Sequence, residues 1–257
     1  MSDFVHLHNH THYSLQDAAC TVDTLIEAAV ENNQKAVALT DHGVVYGVSE
    51  FYKKAKKAGI KPIIGSEVYI VSEGSRFTRG ESISSNRKTK HYRHLILLAK
   101  NDIGYKNLTK LISVGFTEGF YYKPRIDMEV LRKYKEGLIV TTACLGGIVA
   151  APFREGNPEK AKEVALEFKE LFGDDFYLEI QEHWMDGDEV FREDIPKLAK
   201  ELNIKLVATN DIHYVKKEHS IAHNIMLMMS DKTGEKDYRD LRYKTDEIYF
   251  KSTEEMK

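Results

Sequence analysis

The sequence lacks a long apolar run and a cysteine framework. No stretch of the 257 residues approaches the roughly 20 consecutive apolar residues that a membrane-spanning helix needs. The two cysteines, Cys20 and Cys144, are far apart, which excludes a disulfide-stapled scaffold and indicates a reducing compartment. The polar start, MSDFVHLHNH, has no apolar core of the kind found in secretory signals. We therefore expect a cytoplasmic protein with no membrane partner.

A strong charge of one sign is also missing. The formal net charge is −3, because 37 Lys and Arg are set against 40 Asp and Glu. A protein that holds duplex DNA by charge alone is usually basic, so any contact with nucleic acid must be local. The length and the 42% share of hydrophobic residues suffice for one large buried core. We expect residues 1–257 to form a single domain.

Short apolar runs alternate with longer amphipathic ones along the chain. The short runs predict buried strands at residues 4–7, 36–40, 62–65, 95–99, 138–142, 177–180 and 206–209. The amphipathic runs predict helices at residues 22–32, 49–58, 105–114, 158–172, 189–202 and 219–229. This alternation predicts an α/β fold in which about seven parallel strands, covered by helices, close or nearly close into a barrel. An open doubly wound sheet is the alternative.

Two segments depart from the alternation. Residues 72–93 are polar and serine-rich and carry six Arg or Lys against two Glu, so they predict a long surface loop. Residues 231–257 form a charged, tyrosine-rich C-terminal extension, whose pattern is compatible with a short hairpin or with an edge that contacts another surface.

Side chains that can bind a metal recur where the predicted strands end. In a barrel of alternating strands and helices, the carboxyl ends of the strands point into one shared site. The residues of this kind are His8, His10, Asp17, His42, Glu67, His94, Cys144, Asp211 and His213, of which His94 opens its strand. His8 and His10 can bind one ion together, because residues two apart share a face of an extended segment. The candidates after the sixth strand, Glu179, Glu182 and His183, are less regularly placed.

Each of these residues also has an ordinary structural explanation. A single His-x-His, a turn at residues 41–43 or a buried Cys144 is common without a metal. Together, those explanations require several independent coincidences at one end of a sheet, so the sequence predicts a metal site. Among the remaining histidines we expect His6 to orient a ligand through a hydrogen bond. We expect structural or solvated roles for His12, His91, His183, His219 and His223.

The donor types indicate which metals fit. Imidazole, carboxylate and one thiolate suit Zn²⁺, Mn²⁺ or Fe²⁺ better than Mg²⁺ or Ca²⁺, which prefer oxygen ligands. Clustered ions of this kind activate water at neutral pH and stabilise a leaving oxygen, so no separate protein nucleophile is needed. Basic side chains that can steer a phosphodiester backbone toward such a site are Arg76, Arg79, Arg87, Lys88, Lys90, Arg93 and Arg125. For each of them, a solvated surface position is the alternative.

Eight sequence motifs follow one another from residue 4 to the C-terminus. They are HLHNHTHYSLQD, LTDHG, EFYKKAKKAGIKPIIGSEVYI, RHLILLAKN, GFYYKPRID, TTACLGG, ATNDIHYV and IYFKSTEEM. Together they resemble the PHP (polymerase and histidinol phosphatase) domain of the bacterial DNA polymerase III alpha subunit. The first, second and seventh motifs are shared by PHP phosphatases generally. The segments GIKPIIGSEVYI, KPRID and KSTEEM are specific to the polymerase group.

The resemblance implies a distorted (β/α)7 barrel, the PHP fold, with up to three divalent metal ions at the carboxyl ends of the strands. The nine ligand-type residues named above match the family's ligand positions. By analogy, one ion is held by His8, His10, Glu67 and Asp211, a second by Glu67, His94 and Cys144, and a third by Asp17, His42 and His213. Glu67 would bridge the first two ions. We expect catalysis to depend most on Glu67, Asp211 and His10.

Three functions are compatible with the resemblance. The first is a metal-dependent phosphoesterase that acts as a proofreading 3′–5′ exonuclease on a DNA 3′ end. The second is a non-catalytic, metal-stabilised scaffold that contacts the remainder of the polymerase alpha subunit and other replisome proteins. The third, a small-molecule phosphatase, is disfavoured by the polymerase-type motifs. Because the sequence has no paired-Asp palm motif and stops where the family's PHP domain stops, we expect an excised or reconstructed domain that cannot polymerise alone.

Overall fold

Strands and helices alternate through the part of the chain that the computed structural model describes, residues 4–79, 92–229, 237 and 239–257. The strands are β1 (Ala36–Leu39), β2 (Lys61–Val71), β3 (Tyr92–Ala99), β4 (Arg125–Ile126), β5 (Leu138–Thr141), β6 (Phe176–Ile180) and β7 (Lys205–Ala208). The α-helices are α1 (Val22–Glu31), α2 (Val48–Lys57), α3 (Asp102–Thr117), α4 (Met128–Lys133), α5 (Ala150–Arg154), α6 (Pro158–Phe172), α7 (Ile195–Leu202) and α8 (Ser220–Met229). Among these described helices, none is long and apolar enough to cross a membrane.

Local signals explain where the longer helices begin and end. Asn101 and Asn157 cap α3 and α6, since each side-chain oxygen accepts a hydrogen bond from a backbone amide of the first turn. Pro158 occupies the start of α6, where its missing N–H costs nothing, and α6 ends at Gly173, as the sequence predicts. The helix predicted at residues 189–202 is confirmed, although its first part, Val190–Asp194, is a π-helix that continues directly into α7.

The strands form one curved sheet in the order β1, β2, β3, β5, β6, β7, and β4 pairs with β2. The pairs β1–β2, β5–β6 and β6–β7 are parallel. The prediction of a wholly parallel sheet was wrong at β3, which runs antiparallel to both β2 and β5. This reversal brings the first residues of β3 to the edge where the neighbouring strands have their carboxyl ends.

The segment before α1, predicted as a strand at residues 4–7, is an extended stretch that joins the two ends of the sheet. On one side the carbonyl of His6 accepts a hydrogen bond from the amide of Ala38, at 3.0 Å. On the other side the amide of His10 donates to the carbonyl of Ile212, at 2.8 Å. The sheet therefore curls into a distorted (β/α) barrel, as expected, and the open doubly wound alternative was wrong.

The loop predicted at residues 72–93 begins where expected, because β2 ends at Val71. Its last two residues, however, already belong to β3. Residues 80–91 lie outside the described part of the chain, and with them the candidates Arg87, Lys88 and Lys90. In the C-terminal extension, described residues 239–257 form turns, and Phe250 packs into the apolar core beside α1 and α2.

Candidate metal centre

The nine ligand-type residues lie at one edge of the sheet, in contact with one another. His8 and His10 belong to the extended segment that joins the sheet's ends, and His42 follows β1. Glu67 lies within β2 and pairs with His42 across a parallel bridge. His94 lies near the start of the reversed β3, which explains how a residue that opens a strand reaches the same edge. Cys144 follows β5, Asp211 and His213 follow β7, and Asp17 precedes α1.

His8, His10 and Asp211 form the first compact group. The Nε2 atoms of His8 and His10 are 3.1 Å apart. Each also approaches Oδ1 of Asp211, at 3.0 Å from His8 and 3.2 Å from His10. One atom from each residue can therefore face a single ion. Both imidazoles are fully buried, so this group forms the inner part of the site.

Glu67 is the central carboxylate of the site. Its Oε2 lies 3.2 Å from His10 Nε2 and 2.7 Å from His42 Nδ1. Its Oε1 lies 2.9 Å from His94 Nδ1 and 3.9 Å from Cys144 Sγ. Because its two oxygens face different imidazoles, one side chain can serve two ions. The geometry is compatible with the bridging role that we predict for Glu67.

Asp17, His42 and His213 form the outer group. Oδ2 of Asp17 lies 2.8 Å from His42 Nε2 and 3.2 Å from His213 Nε2. On its other oxygen Asp17 accepts a hydrogen bond of 3.0 Å from the hydroxyl of Tyr243, a residue of the C-terminal extension. The side chain of Asp17 is 23% exposed, against 1% for Glu67. The centre therefore has a buried interior and an open outer part.

The charges of the centre depend on one another. Burial alone would raise the pKa of Glu67, but the neighbouring imidazoles of His94 and His42 hold it well below its usual range. Burial would likewise lower the pKa of His42, but Glu67 and Asp17 raise it to about 10. Without a metal, protonated imidazoles thus neutralise the carboxylates.

Three buried atoms in the centre lie within ion-pair distance of their neighbours but lack hydrogen-bond geometry: His42 Nδ1, Glu67 Oε2 and Asp211 Oδ1. Buried polar atoms are nearly always bonded, so unsatisfied ones call for a specific explanation. A divalent cation would satisfy all three and would take over the charge balance from the imidazolium protons. The residues present therefore fit a metal, and mixed nitrogen, oxygen and sulfur donors fit Zn²⁺, Mn²⁺ or Fe²⁺.

Three of the ligand-type residues lie at, or directly after, a position with a strained backbone conformation. Asp211 itself has φ of 45°, and the residues before Asp17 and Cys144, which are Gln16 and Ala143, both have φ of 59°. Such left-handed conformations are costly for residues other than glycine, and they concentrate at functional sites. Here they turn the chain so that the carboxylates and the thiol face the centre.

Glu179, considered from sequence as a candidate ligand, instead holds His8 in place. Its Oε1 accepts a hydrogen bond of 2.7 Å from His8 Nδ1, which directs Nε2 of the same ring toward Glu67 and Asp211. Its Oε2 accepts from the hydroxyl of Thr141 and from the amide of Ala143, next to Cys144. Glu179 is fully buried. This one carboxylate therefore orients two parts of the centre at once, as residues behind metal ligands commonly do.

We expect Glu179→Gln to weaken metal binding about 10- to 100-fold, the usual cost of removing a group that orients a metal-binding histidine. The amide cannot accept as many hydrogen bonds, so the His8 ring and the strained Ala143 lose their common anchor. Metal titration of the stripped protein measures the effect. The control is Glu182→Gln, which removes a carboxylate paired with exposed Arg192. Equal metal affinity in the two variants would contradict the role of Glu179.

The structure contradicts the roles that were expected for His6 and Arg125. His6 does not orient a ligand, since its Nε2 bonds to the carbonyl of Lys251 and its ring packs on Phe250. Arg125 is 1% exposed and donates to the backbone carbonyls of Gly119, Arg76 and Thr78.

The other described arginines that were predicted to bind substrate lie in different environments. Arg76 is buried and bonds to Asp127 and Glu118, so its guanidinium and that of Arg125 hold the fold together. Arg93 pairs with Glu155 at 2.6 Å. Arg79 is exposed. Contacts of these side chains with a substrate stay a prediction.

Two contacts with Asp17 were not predicted from the sequence. Tyr243 binds the carboxylate of Asp17, and His223 Nε2 lies 2.5 Å from the carbonyl oxygen of Asp17. Both come from the last quarter of the chain, where the pattern is weak. His223 was expected to be structural, and its sequence position on a helix gives no sign that it faces a ligand-bearing loop.

Comparison with known proteins identifies relatives of the chain. The model of the PHP domain family matches residues 6–183. The DNA polymerase III subunit alpha of Borreliella burgdorferi is 45% identical over 255 residues, which cover 99% of this chain and 22% of that protein. The same subunit of Aquifex aeolicus is 47% identical over 231 residues, covering 90% of this chain and 20% of that protein. The chain thus spans about a fifth of the length of these relatives.

Solved structures share the fold at low sequence identity. A protein of Bifidobacterium adolescentis assigned as a metal-dependent phosphoesterase superposes with a TM-score of 0.52, at 16% identity, covering 81% of this chain and 87% of that one. An amidohydrolase of Chromobacterium violaceum, with bound sulfate and no metal, gives a TM-score of 0.51 at 15% identity, with the same coverage. At such identities the likeness concerns the fold alone.

Proposed function

The chain belongs to the PHP domain family, and we propose that it is a metal-dependent phosphodiester hydrolase acting as a 3′–5′ exonuclease. The observation that carries this proposal is the completeness of the centre: nine ligand-type side chains are present and in mutual contact. A centre kept only as a relic would tolerate the loss of ligands. Zn²⁺, Mn²⁺ and Fe²⁺ are the metals that its donor types favour.

The proposal includes up to three ion positions in the centre. His8, His10, Glu67 and Asp211 would hold one ion, Glu67 with His94 and Cys144 a second, and Asp17 with His42 and His213 a third. When bound, such ions supply hydroxide from water at neutral pH and stabilise the charge on the leaving oxygen.

The protein's own contribution is placement and shielding. His8, His10 and Glu67 are buried and held by the barrel's strands, so they fix the position of the charge. Asp17, His42 and His94 are partly exposed and line a cleft that opens to solvent. A phosphodiester can therefore reach the outer side of the centre while the inner side stays shielded from water.

A strand end reaches a recessed centre more easily than the middle of a duplex. An enzyme that works on a nucleotide within a stacked duplex must extrude it, at a cost of a few kcal/mol that is smallest for a mismatched or unpaired one. The similarity to DNA polymerase III alpha subunits supports a DNA 3′ end as substrate and the remainder of such a subunit as partner.

The exonuclease assignment is tested with labelled primers that differ only at the 3′ end. In Mn²⁺, single-stranded and 3′-mismatched primers are expected to be degraded faster than a matched primer, with release of the terminal nucleotide. Higher salt should slow all three reactions, because Lys and Arg contacts to phosphate release counterions. Equal rates on matched and mismatched ends, or cuts within the strand, would contradict the assignment.

A metal-stabilised scaffold is the second candidate, because the same cluster of ligand-type side chains can bind metal and stabilise the fold without turnover. In that case residues 1–257 would form one domain that binds metal and gains stability without turnover. Bound metal with no hydrolysis of any primer is the result that supports the scaffold.

A further inference from the structure

A cleft of about 540 Å³ lies directly against the metal centre, and its lining includes six aromatic rings. The rings belong to Tyr13, Tyr46, Tyr69, Tyr92, Phe116 and Tyr243. Asp17, His42 and His94 line the same cleft, so whatever it binds contacts the outer side of the centre. Its volume lies within the roughly 300–1,000 Å³ typical of pockets for drug-sized molecules.

Most of these rings are already engaged in the fold. The Tyr13 hydroxyl donates to Glu50, the Tyr243 hydroxyl donates to Asp17, and Tyr69 is 4% exposed. Tyr46 and Phe116 are more accessible, since they are 60% and 38% exposed. Phe116 also stacks on Phe120, with ring centroids 6.1 Å apart. Exposed aromatic faces that line a cleft beside a reactive centre can stack on a flat ligand.

The loop that carries Tyr46 is fixed against the opposite wall. Gly43, which follows His42, has φ of +64°, and a Cβ there would come within 2.9 Å of Pro124 and 3.1 Å of the Tyr69 ring. Only glycine permits this approach without a shift. Tyr46 is therefore presented from a loop that starts at a metal ligand and packs on the segment containing Lys123.

Lys123 supplies a positive charge to the cleft. Its side chain is exposed and its Nζ lies 5.2 Å from the centroid of the Tyr69 ring. Within the described ranges it forms no ion pair with a carboxylate, unlike Arg76 and Arg93. Because Lys123 lines the same cleft as Asp17, His42 and His94, it is placed to bind an anionic group of the substrate.

We propose that this cleft binds the terminal nucleotide of a single strand, with its base on Tyr46 and Phe116 and its phosphate near Lys123. The proposal rests on the proposed function and specifies its substrate class. Aromatic side chains stack on any nucleobase without sequence preference, and cations contact the backbone. A phosphate ester without a base would leave both exposed rings unused.

The test uses single-stranded oligonucleotides of one sequence with either a normal or an abasic 3′-terminal residue. Wild-type protein in Mn²⁺ is expected to release the normal terminal nucleotide about tenfold more efficiently, the factor that corresponds to one stacking contact of modest strength. Tyr46→Ala should raise KM for the normal end, leave the abasic end nearly unchanged and so narrow the gap between the two ends. Tyr46→Phe should restore the wild-type difference between the two ends, because a phenyl ring also stacks on a base.

Matched controls come from the other end of α3. Tyr105 and Lys106 are exposed and lie about 16 Å along the helix from Phe116, since each residue advances the axis by about 1.5 Å. Phe116→Ala should resemble Tyr46→Ala, whereas Tyr105→Ala should behave as wild type. Lys123→Gln should raise KM for both ends and weaken the dependence of the rate on salt. Lys123→Arg should restore the wild-type KM, and Lys106→Gln should leave KM and the salt dependence unchanged.

Failure of this proposal is distinguishable from failure of the proposed function. If wild type degrades normal and abasic ends equally, or if Tyr46→Ala keeps the wild-type KM, the proposed nucleotide-binding role of the cleft is wrong. The exonuclease assignment then still stands. If wild type degrades neither, the exonuclease assignment fails. Nucleotide binding in the cleft is then tested by fluorescence anisotropy of the same oligonucleotides. Equal affinity of wild type for the normal and the abasic oligonucleotide would overturn the proposal.

Discussion

Removal of bound metal is expected to lower the Tm by about 10 °C or more. An ion present at about 1,000 times its Kd contributes roughly 4 kcal/mol to the free energy of unfolding. One kcal/mol shifts the Tm of a domain of about 150–250 residues by roughly 2–4 °C. The loss is large because Glu67, Asp211 and Asp17 then depend on imidazolium partners alone for charge balance.

The size of this loss should grow as pH rises from about 6.5 toward 10. In the metal-free protein the pKa of His42 is raised to about 10 from an ordinary value of 6.5. A raised pKa stabilises the fold fully below the unfolded value, and this contribution disappears as pH passes through the folded value. Metal binding, in contrast, strengthens as pH rises because ligands must lose their protons. The two trends act in the same direction.

Scanning calorimetry with and without chelator, at several pH values, measures both effects. Readdition of Mn²⁺ or Zn²⁺ should restore the original Tm, which separates metal loss from any other action of the chelator. His219→Ala, which removes an exposed histidine, is expected to behave as wild type. An unchanged Tm on chelation would mean that the centre holds no structurally important ion.

Glu67→Gln is expected to lose more metal than His42→Ala and to reduce hydrolysis by more than about 100-fold. That factor is the upper end for a residue that merely orients a ligand, and Glu67 contacts four imidazoles and a thiol directly. Replacing its charge should therefore release ions from two groups. His42 contacts the outer group and Glu67, so its loss should cost one ion.

Elemental analysis after loading and desalting gives the ion count of each variant, and far-UV circular dichroism confirms that each is folded. Near three ions per chain are expected in wild type, about one in Glu67→Gln and about two in His42→Ala. Equal metal loss in the two variants would contradict the bridging role. Comparison of their activities then tells whether the outer ion takes part in hydrolysis.

The composition of the centre was predictable because most of its residues lie at or near the ends of apolar runs that are easy to recognise in the sequence. The carboxyl ends of neighbouring strands must meet at one edge, so His8, His42 and Asp211 had to lie near one another once the barrel was inferred. The assignment of these residues to three separate ions comes from the resemblance and stays a prediction.

The direction of β3 was not predictable from its residues. Its apolar run reads the same in a parallel or antiparallel arrangement, and direction depends on connections elsewhere in the fold. The roles of Glu179 and Arg125 could also not be predicted from the residues alone. A buried charge is defined by its partners, and those partners, such as His8 for Glu179, are distant in sequence.

The most direct test of the account is the rate at which the terminal nucleotide is released from a 3′-mismatched primer by wild type and by Asp211→Asn. The two proteins are purified in parallel and loaded with Mn²⁺, so that a contaminating nuclease contributes equally to both. Wild type is expected to release the nucleotide, and the variant is expected to be more than about 100-fold slower, since Asp211 contacts both buried histidines. Wild-type activity in Asp211→Asn would contradict a catalytic metal centre at these residues.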